Sequence, residues 1–291
     1  MRALCIIWII VFWHSCDFFS ESYEFFLRKH LSYLTDSVLA SFTFMSGFFL
    51  SKYRFESSSE VYTFYNKRLQ RFFIPLLLCS ILFYVCGGYV TIFQLIFQML
   101  GLSMFILPAP KTYWYFSMII LFYIITPVIS KKRGYIYAAL FYIILISLCN
   151  VIDKRIIVFY PFYIIGLKSN EMIQYCKVGN KTKYYIISYI TLCCACIFME
   201  YKWYFSILIS FFGLIAIHHL SKYISGYIYI SHYLTYISYA SMFAYISHRL
   251  YFILLYDLMN ESLLFLVIVL CLIFIISYYL QRLYDRLIKS L

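Results

Sequence analysis

Apolar residues run along this chain in long blocks, neither alternating as in a half-buried strand nor confined to one stripe as in a surface helix. Crossing a bilayer takes about 20 apolar residues, somewhat fewer in a short helix. Set against the clusters of charge, the blocks predict ten helices, over 3–20, 31–50, 72–88, 112–130, 134–151, 156–168, 184–200, 203–220, 238–256 and 262–281. The segment 89–107 is almost apolar enough for an eleventh. Gln94, Gln98 and Gly101 interrupt it, so it reads as a surface or re-entrant piece. The Tyr- and Ile-rich segment 225–237 is ambiguous in the same way.

Charge decides the count. With ten spans and the N-terminus inside, most of the 24 Lys and Arg fall on the cytoplasmic side, in groups such as Lys67, Arg68 and Arg71 or Lys131, Lys132 and Arg133. Only Arg28, Lys29, Lys111, Lys154, Arg155, Lys202 and Arg249 fall outside or within a helix. Positive loops are expected on the inner face, and an eleventh span would invert every later loop. The expected architecture is an all-α polytopic membrane bundle of ten transmembrane helices with both termini cytoplasmic.

Composition agrees. Of 291 residues, 64% are hydrophobic and only 12% charged, about half the charged share of an ordinary globular domain; the mean hydropathy is +0.84. This excludes a cytosolic enzyme, a disordered regulator and a nucleic-acid-binding protein. The net charge of +12 instead suits anionic lipid headgroups. Most of the ten cysteines lie in apolar runs, and the lone CxxC, Cys193 to Cys196, has no second pair, so packing is their expected role. The N-terminal apolar run lacks a small-residue cleavage site before Phe12, Trp13 and His14, and reads as an uncleaved first span. With short loops, the whole of 1–291 reads as one membrane domain with no appended soluble domain.

Ionisable groups are costly in hydrocarbon, so each is a candidate for function. His14 ends a purely apolar run twelve residues beyond Arg2, roughly 18 Å along a helix. A histidine there can take a proton from a hydroxyl; the alternative is a structural histidine, or one at the outer interface beside Asp17. Arg68 and Arg71, at i and i+3, lean to one helix face and suit phosphate oxygens; the alternative is that they only orient the span that follows. Ser46-Gly47 permits close backbone approach. Trp114 opens a helix from an aromatic belt, with Tyr123 and Pro127 further along, and His248 lies inside the ninth helix ahead of Arg249. His218-His219 without a third ligand does not make a metal site. No GxSxG elbow marks a hydrolase.

In order, these motifs resemble the acyltransferase-3 family of integral-membrane enzymes, which acylate bacterial surface glycans and other hydroxyl acceptors. The similarity runs through Arg2 to Ser15, Ser41 to Leu50, Lys67 to Pro75 with its Arg-x-x-Arg, Tyr113 to Pro127, Phe162 to Gly166 and Ile237 to His248. The resemblance implies that Arg2 and His14 form the catalytic pair, His14 as base or acyl relay, and that Arg68 and Arg71 bind acyl-CoA. It marks Ser46, Gly47, Trp114, Tyr123 and His248 as pocket or structural residues. One spacing departs from the family. Ten residues usually separate that Arg and His; here there are eleven. Eleven steps of about 100° return almost to the starting face, whereas twelve miss it by about 120°. Either a one-residue π-bulge restores the phase, or Arg2 is not the partner of His14.

The activity implied is that of an O-acyltransferase of the bacterial inner membrane, with acetyl-CoA the expected donor substrate. The acceptor is a glycan or lipid-linked sugar, and no bound cofactor, metal or nucleic acid is expected. The competing reading is a non-enzymatic glycan exporter. Against it, no Gly/Pro-broken helices recur in both halves.

Overall fold

A computed structural model describes residues 1–15, 21–53, 55–86, 91–105, 113–131, 133–169, 184, 187–192, 202–255 and 263–290. Among these residues there is no strand. Helix α1 (Arg2–Ile7) continues as a π-helix over Trp8–His14. It is followed by α2 (Glu21–Phe48), α3 (Ser58–Val85), α4 (Ile92–Met99), α5 (Tyr113–Ile129), α6 (Gly134–Ser147), α7 (Lys154–Leu167), α8 (Trp203–Ser225), α9 (Ile228–Leu254) and α10 (Leu263–Ser290).

Helices α3 and α8 and the stretch Leu264–Ile288 of α10 are long and apolar enough to cross a membrane; Arg2–His14, Tyr113–Ile129 and Gly134–Ser147 are apolar but shorter. Large apolar side chains cover the outside of the bundle, among them Leu140, Ile143 and Ile144 on α6 and Leu264, Val267 and Ile275 on α10. In water such a surface would be an aggregation liability; in hydrocarbon it is the solvated face. With helices long and apolar enough to cross a bilayer, this is the outside of a membrane protein.

Among its described residues, the segment 89–107 holds the eight residues of α4 as regular α-helix, roughly 12 Å, against a hydrocarbon core of about 30 Å. A capping box of Thr91 and Gln94 starts it. Gly101, with φ 70°, turns the chain beyond it in a conformation few L-residues tolerate. The segment 225–237 is no separate piece: from Ile228 it is the first part of α9, which therefore starts ahead of the expected 238. The third helix likewise starts at Ser58 instead of 72. Ser57 caps it, with the Glu60 side chain accepting from the Ser57 amide at 3.1 Å. Arg68 and Arg71 are thereby helical. Most of the span expected over 184–200, with Cys193 and Cys196, lies outside the described residues, as does Lys111.

Helix α2 sits between α7 and α8. It carries many hydroxyl residues, yet its core face is satisfied locally: Ser37 donates to the Tyr33 carbonyl, Ser41 to Ser37 and Thr43 to Leu39, at 2.8–2.9 Å. Hydroxyls that bond one turn back can be buried without partners on other helices. Against α7, contact is backbone to backbone. A Cβ on Gly47 would overlap the Tyr163 carbonyl, and one on Gly166 would overlap that of Phe44. Helices α9 and α10 are held by Tyr236 and Tyr239 against Tyr278 (5.3 and 5.5 Å) and by the Tyr239 hydroxyl on Asp285 at 2.5 Å. The Tyr284 hydroxyl donates to the Gln70 carbonyl and fastens α10 to α3.

Candidate active site

Arg2 from α1, Ser46 from α2, Arg68 and Arg71 from α3 and Tyr123 from α5 all line one cavity of about 310 Å³. Phe42, Tyr115, Phe116 and Tyr245 supply much of its apolar wall. Among the described residues that line it there is no carboxylate. The i, i+3 spacing of Arg68 and Arg71 works as the helix geometry requires, both reaching the same space. Arg68 stands over three aromatic rings, at 5.5 Å from Phe64 and Tyr123 and 5.8 Å from Tyr53. Such faces attract a guanidinium and fix its plane. Arg2 stands 5.6 Å over Phe42 and is close enough to Arg71 for the two cations to repel. Its buried Nε has no acceptor among the described residues. A buried, unsatisfied charged donor is costly, and an anionic group in this cavity would relieve it.

A second cavity of about 430 Å³ shares Arg68, Phe72 and Tyr123 with the first and is otherwise mostly apolar, lined by Leu69, Phe73, Ile120 and Ile124. The Tyr65 hydroxyl bridges its two helices, donating to the Ile124 carbonyl at 2.6 Å.

His14 and His248 do not line the cavity; they meet each other. His14 Nδ1 lies 2.6 Å from His248 Nε2, and the rings are nearly parallel, 4.7 Å apart. His248 is fully buried, and its Nδ1 lies 2.8 Å from the Tyr245 carbonyl and 3.2 Å from that of Ala244. Tyr245 connects the two places, lining the cavity and packing its ring 5.8 Å from that of His248. The π-helix bears on the Arg2 to His14 spacing. Its wider turn absorbs a residue, so twelve steps turn the chain about as far as eleven α-helical ones. Arg2 reaches the cavity and His14 reaches α9 from one continuous segment. Trp8 anchors that segment to α2, its indole donating to Thr35 at 3.1 Å.

The other sequence candidates lie elsewhere. Trp114 is under Arg155, 4.0 Å from guanidinium to ring centroid, and stacks on Phe159. Gly47 serves the α2–α7 contact. Two features escaped the sequence reading. Asp36, buried in α2, accepts from Ser206 of α8 at 2.5 Å; a lone carboxylate in an apolar block was the available signal. Asp153 caps α7 through the Arg155 amide at 2.9 Å and pairs with the Arg155 side chain. Arg155 also lines a cleft of about 540 Å³ with Lys154, Lys202, Trp203 and Tyr204. Among the described residues no cluster of three or more His, Cys, Asp or Glu is arranged to hold a metal.

No curated protein and no solved structure matches the chain. One family does, described as an acyltransferase domain, and its match covers residues 1–282 of the 291, taking in the arginine cavity, the π-helix and the histidine pair. By that near end-to-end match, the chain belongs to the acyltransferase-3 family of membrane acyltransferases.

Proposed function

We propose that this protein is a membrane O-acetyltransferase that moves an acetyl group from acetyl-CoA to a hydroxyl of a surface or lipid-linked glycan, in the inner membrane of a bacterium. The observation that carries this reading is the convergence of Arg2, Arg68 and Arg71 on one cavity where, among the described residues, no carboxylate lines the wall and the Arg2 Nε has no acceptor. Planar guanidinium forks match phosphate oxygens, and the donor is the substrate that brings phosphates. In this reading both termini and the arginine end of the bundle face the cytoplasm, and the acceptor comes from the opposite side.

His14 acts as the base. Its neutral imidazole takes the proton of the acceptor hydroxyl as that oxygen attacks the thioester carbonyl carbon. The carbon–sulfur bond breaks, the acyl–oxygen ester remains, and the imidazolium proton goes to the leaving thiolate to give free CoA. Mass spectrometry of surface glycans from a deletion strain, restored with wild type or His14→Ala, tests this. A defined acyl mass lost on deletion and recovered only with wild type is the expected result. Normal acylation with His14→Ala inserted at wild-type level overturns it, and unchanged acylation with altered glycan amount points to an exporter.

A further inference from the structure

The pairing of His14 with His248 carries a consequence for the direction of proton transfer. Carbonyl oxygens only accept, so the 2.8 Å contact of His248 Nδ1 with the Tyr245 carbonyl, backed at 3.2 Å by Ala244, requires the proton of His248 to be on Nδ1. In a neutral His248 the Nε2 then presents a lone pair. Among the described residues, the group at hydrogen-bond distance from this atom is His14 Nδ1, at 2.6 Å, which must be the donor. A neutral His14 with its proton on Nδ1 has its lone pair on Nε2.

We propose that His248 is a positioning residue for acyl transfer, its Nε2 holding His14 in the tautomer whose Nε2 is the base. The proposal rests on the reading of His14 as that base. An imidazole in water has no such fixed assignment; the hydrogen bond made by one nitrogen decides which nitrogen carries the proton. In hydrolytic triads a carboxylate performs this task. Here a second imidazole does so without placing an anion in the bundle. A buried anion would be costly unless paired.

The geometry is held on both sides. Phe252 packs edge-on at 5.7 Å and Tyr245 at 5.8 Å against the His248 ring, which is 0% exposed. The backbone carbonyls come from the same helix, so His248 keeps its orientation as long as α9 is helical. After His14 takes the acceptor's proton on Nε2, its Nδ1–H still donates to His248, now as a charge-assisted bond. No tautomer exchange is needed before the proton passes to the thiolate.

Histidine-selective ¹⁵N NMR on the full-length protein in lipid nanodiscs, without ligand, reads the assignment directly, with His14 identified by the signal lost in His14→Ala. A protonated Nδ1 and bare Nε2 on His14 is expected; a protonated Nε2 and bare Nδ1 overturns the proposal even where the His248 variants fold poorly. In cells, His248→Gln keeps an acceptor oxygen near the Nε2 position and His248→Leu keeps only bulk. At equal membrane levels, glycan acylation falls about 100-fold with Leu and less than about tenfold with Gln, in the range of lost orienting partners. Equal losses for Gln and Leu, or full activity with Leu, overturn the role of His248. Full activity of His14→Ala would instead overturn the proposed function, while the NMR assignment of the pair is decided separately.

Discussion

The Arg68 guanidinium lies 5.5 Å from the centroid of the Tyr123 ring, and both residues belong to the wall shared by two cavities. Arg68 is thus aimed by aromatic faces, with Phe64 and Tyr53 completing the surround. Lysine in its place keeps the charge and loses the planar fork.

From this, Arg68→Ala is expected to raise the donor KM by about tenfold or more, equal to about 1.4 kcal/mol. Arg68→Lys should fall between wild type and alanine. Tyr123→Leu, which leaves the charge and removes one face, should cost about 0.5–2 kcal/mol of donor affinity. Acetyl-CoA titrations of the purified protein read all three, and equal affinity for Arg68→Lys and wild type would show that the fork is not used.

The π-helix makes a prediction about register. Deleting Phe12, the most exposed residue of Trp8–His14 at 53%, removes the surplus residue and lets the segment wind as a regular helix. Eleven α-helical steps bring position 14 back to within about 20° of the Arg2 face, so acylation should persist. Inserting an alanine after Phe12 turns His14 by about 100° more, away from His248, and should abolish it. Glycan acylation in a complemented deletion strain checks both.

The α2–α7 contact predicts intolerance at two positions. Gly47→Val and Gly166→Val each force a side chain onto the facing backbone, at Tyr163 and Phe44 respectively. Overpacking of this kind costs about 1–3 kcal/mol or more where the obstacle is backbone. Fluorescence-detected size exclusion after heating should show both variants losing the monodisperse peak well below the wild-type temperature.

The cap of α3 predicts a smaller effect. Ser57→Ala removes the oxygen that accepts from the Glu60 amide at 3.2 Å, a loss of about 1 kcal/mol. Since the same helix carries Arg68 and Arg71, its first turns should exchange amide hydrogens faster, readable by mass spectrometry, while α10 stays unchanged.

Much of this was legible in the sequence because the signals are local. Arg68 and Arg71 share a face by spacing alone, and Gln94, Gln98 and Gly101 mark where 89–107 stops being a plausible span. The start of α3 at Ser58 rests on the local cap of Ser57 and Glu60, which an apolar block beginning at Phe72 does not reveal. The convergence of Arg2 with Arg68 and Arg71, and the meeting of His14 with His248, depend on helices far apart in the chain, and no periodicity encodes them. Asp36 went unnoticed because its partner, Ser206, is 170 residues away. Trp114 belonged to the right aromatic belt, but Arg155 and Phe159, not the arginine cavity, decide what it touches.

The widened turn over Trp8–His14 also has a meaning for how such chains are recognised. A pattern demanding a set number of residues between arginine and histidine would reject this protein, although its backbone brings both residues into the bundle. In this first helix the width of the turn, as well as the number of residues, sets the angle between the two side chains. A pattern that tolerates one extra position there would keep chains whose first helix winds through such a wider turn.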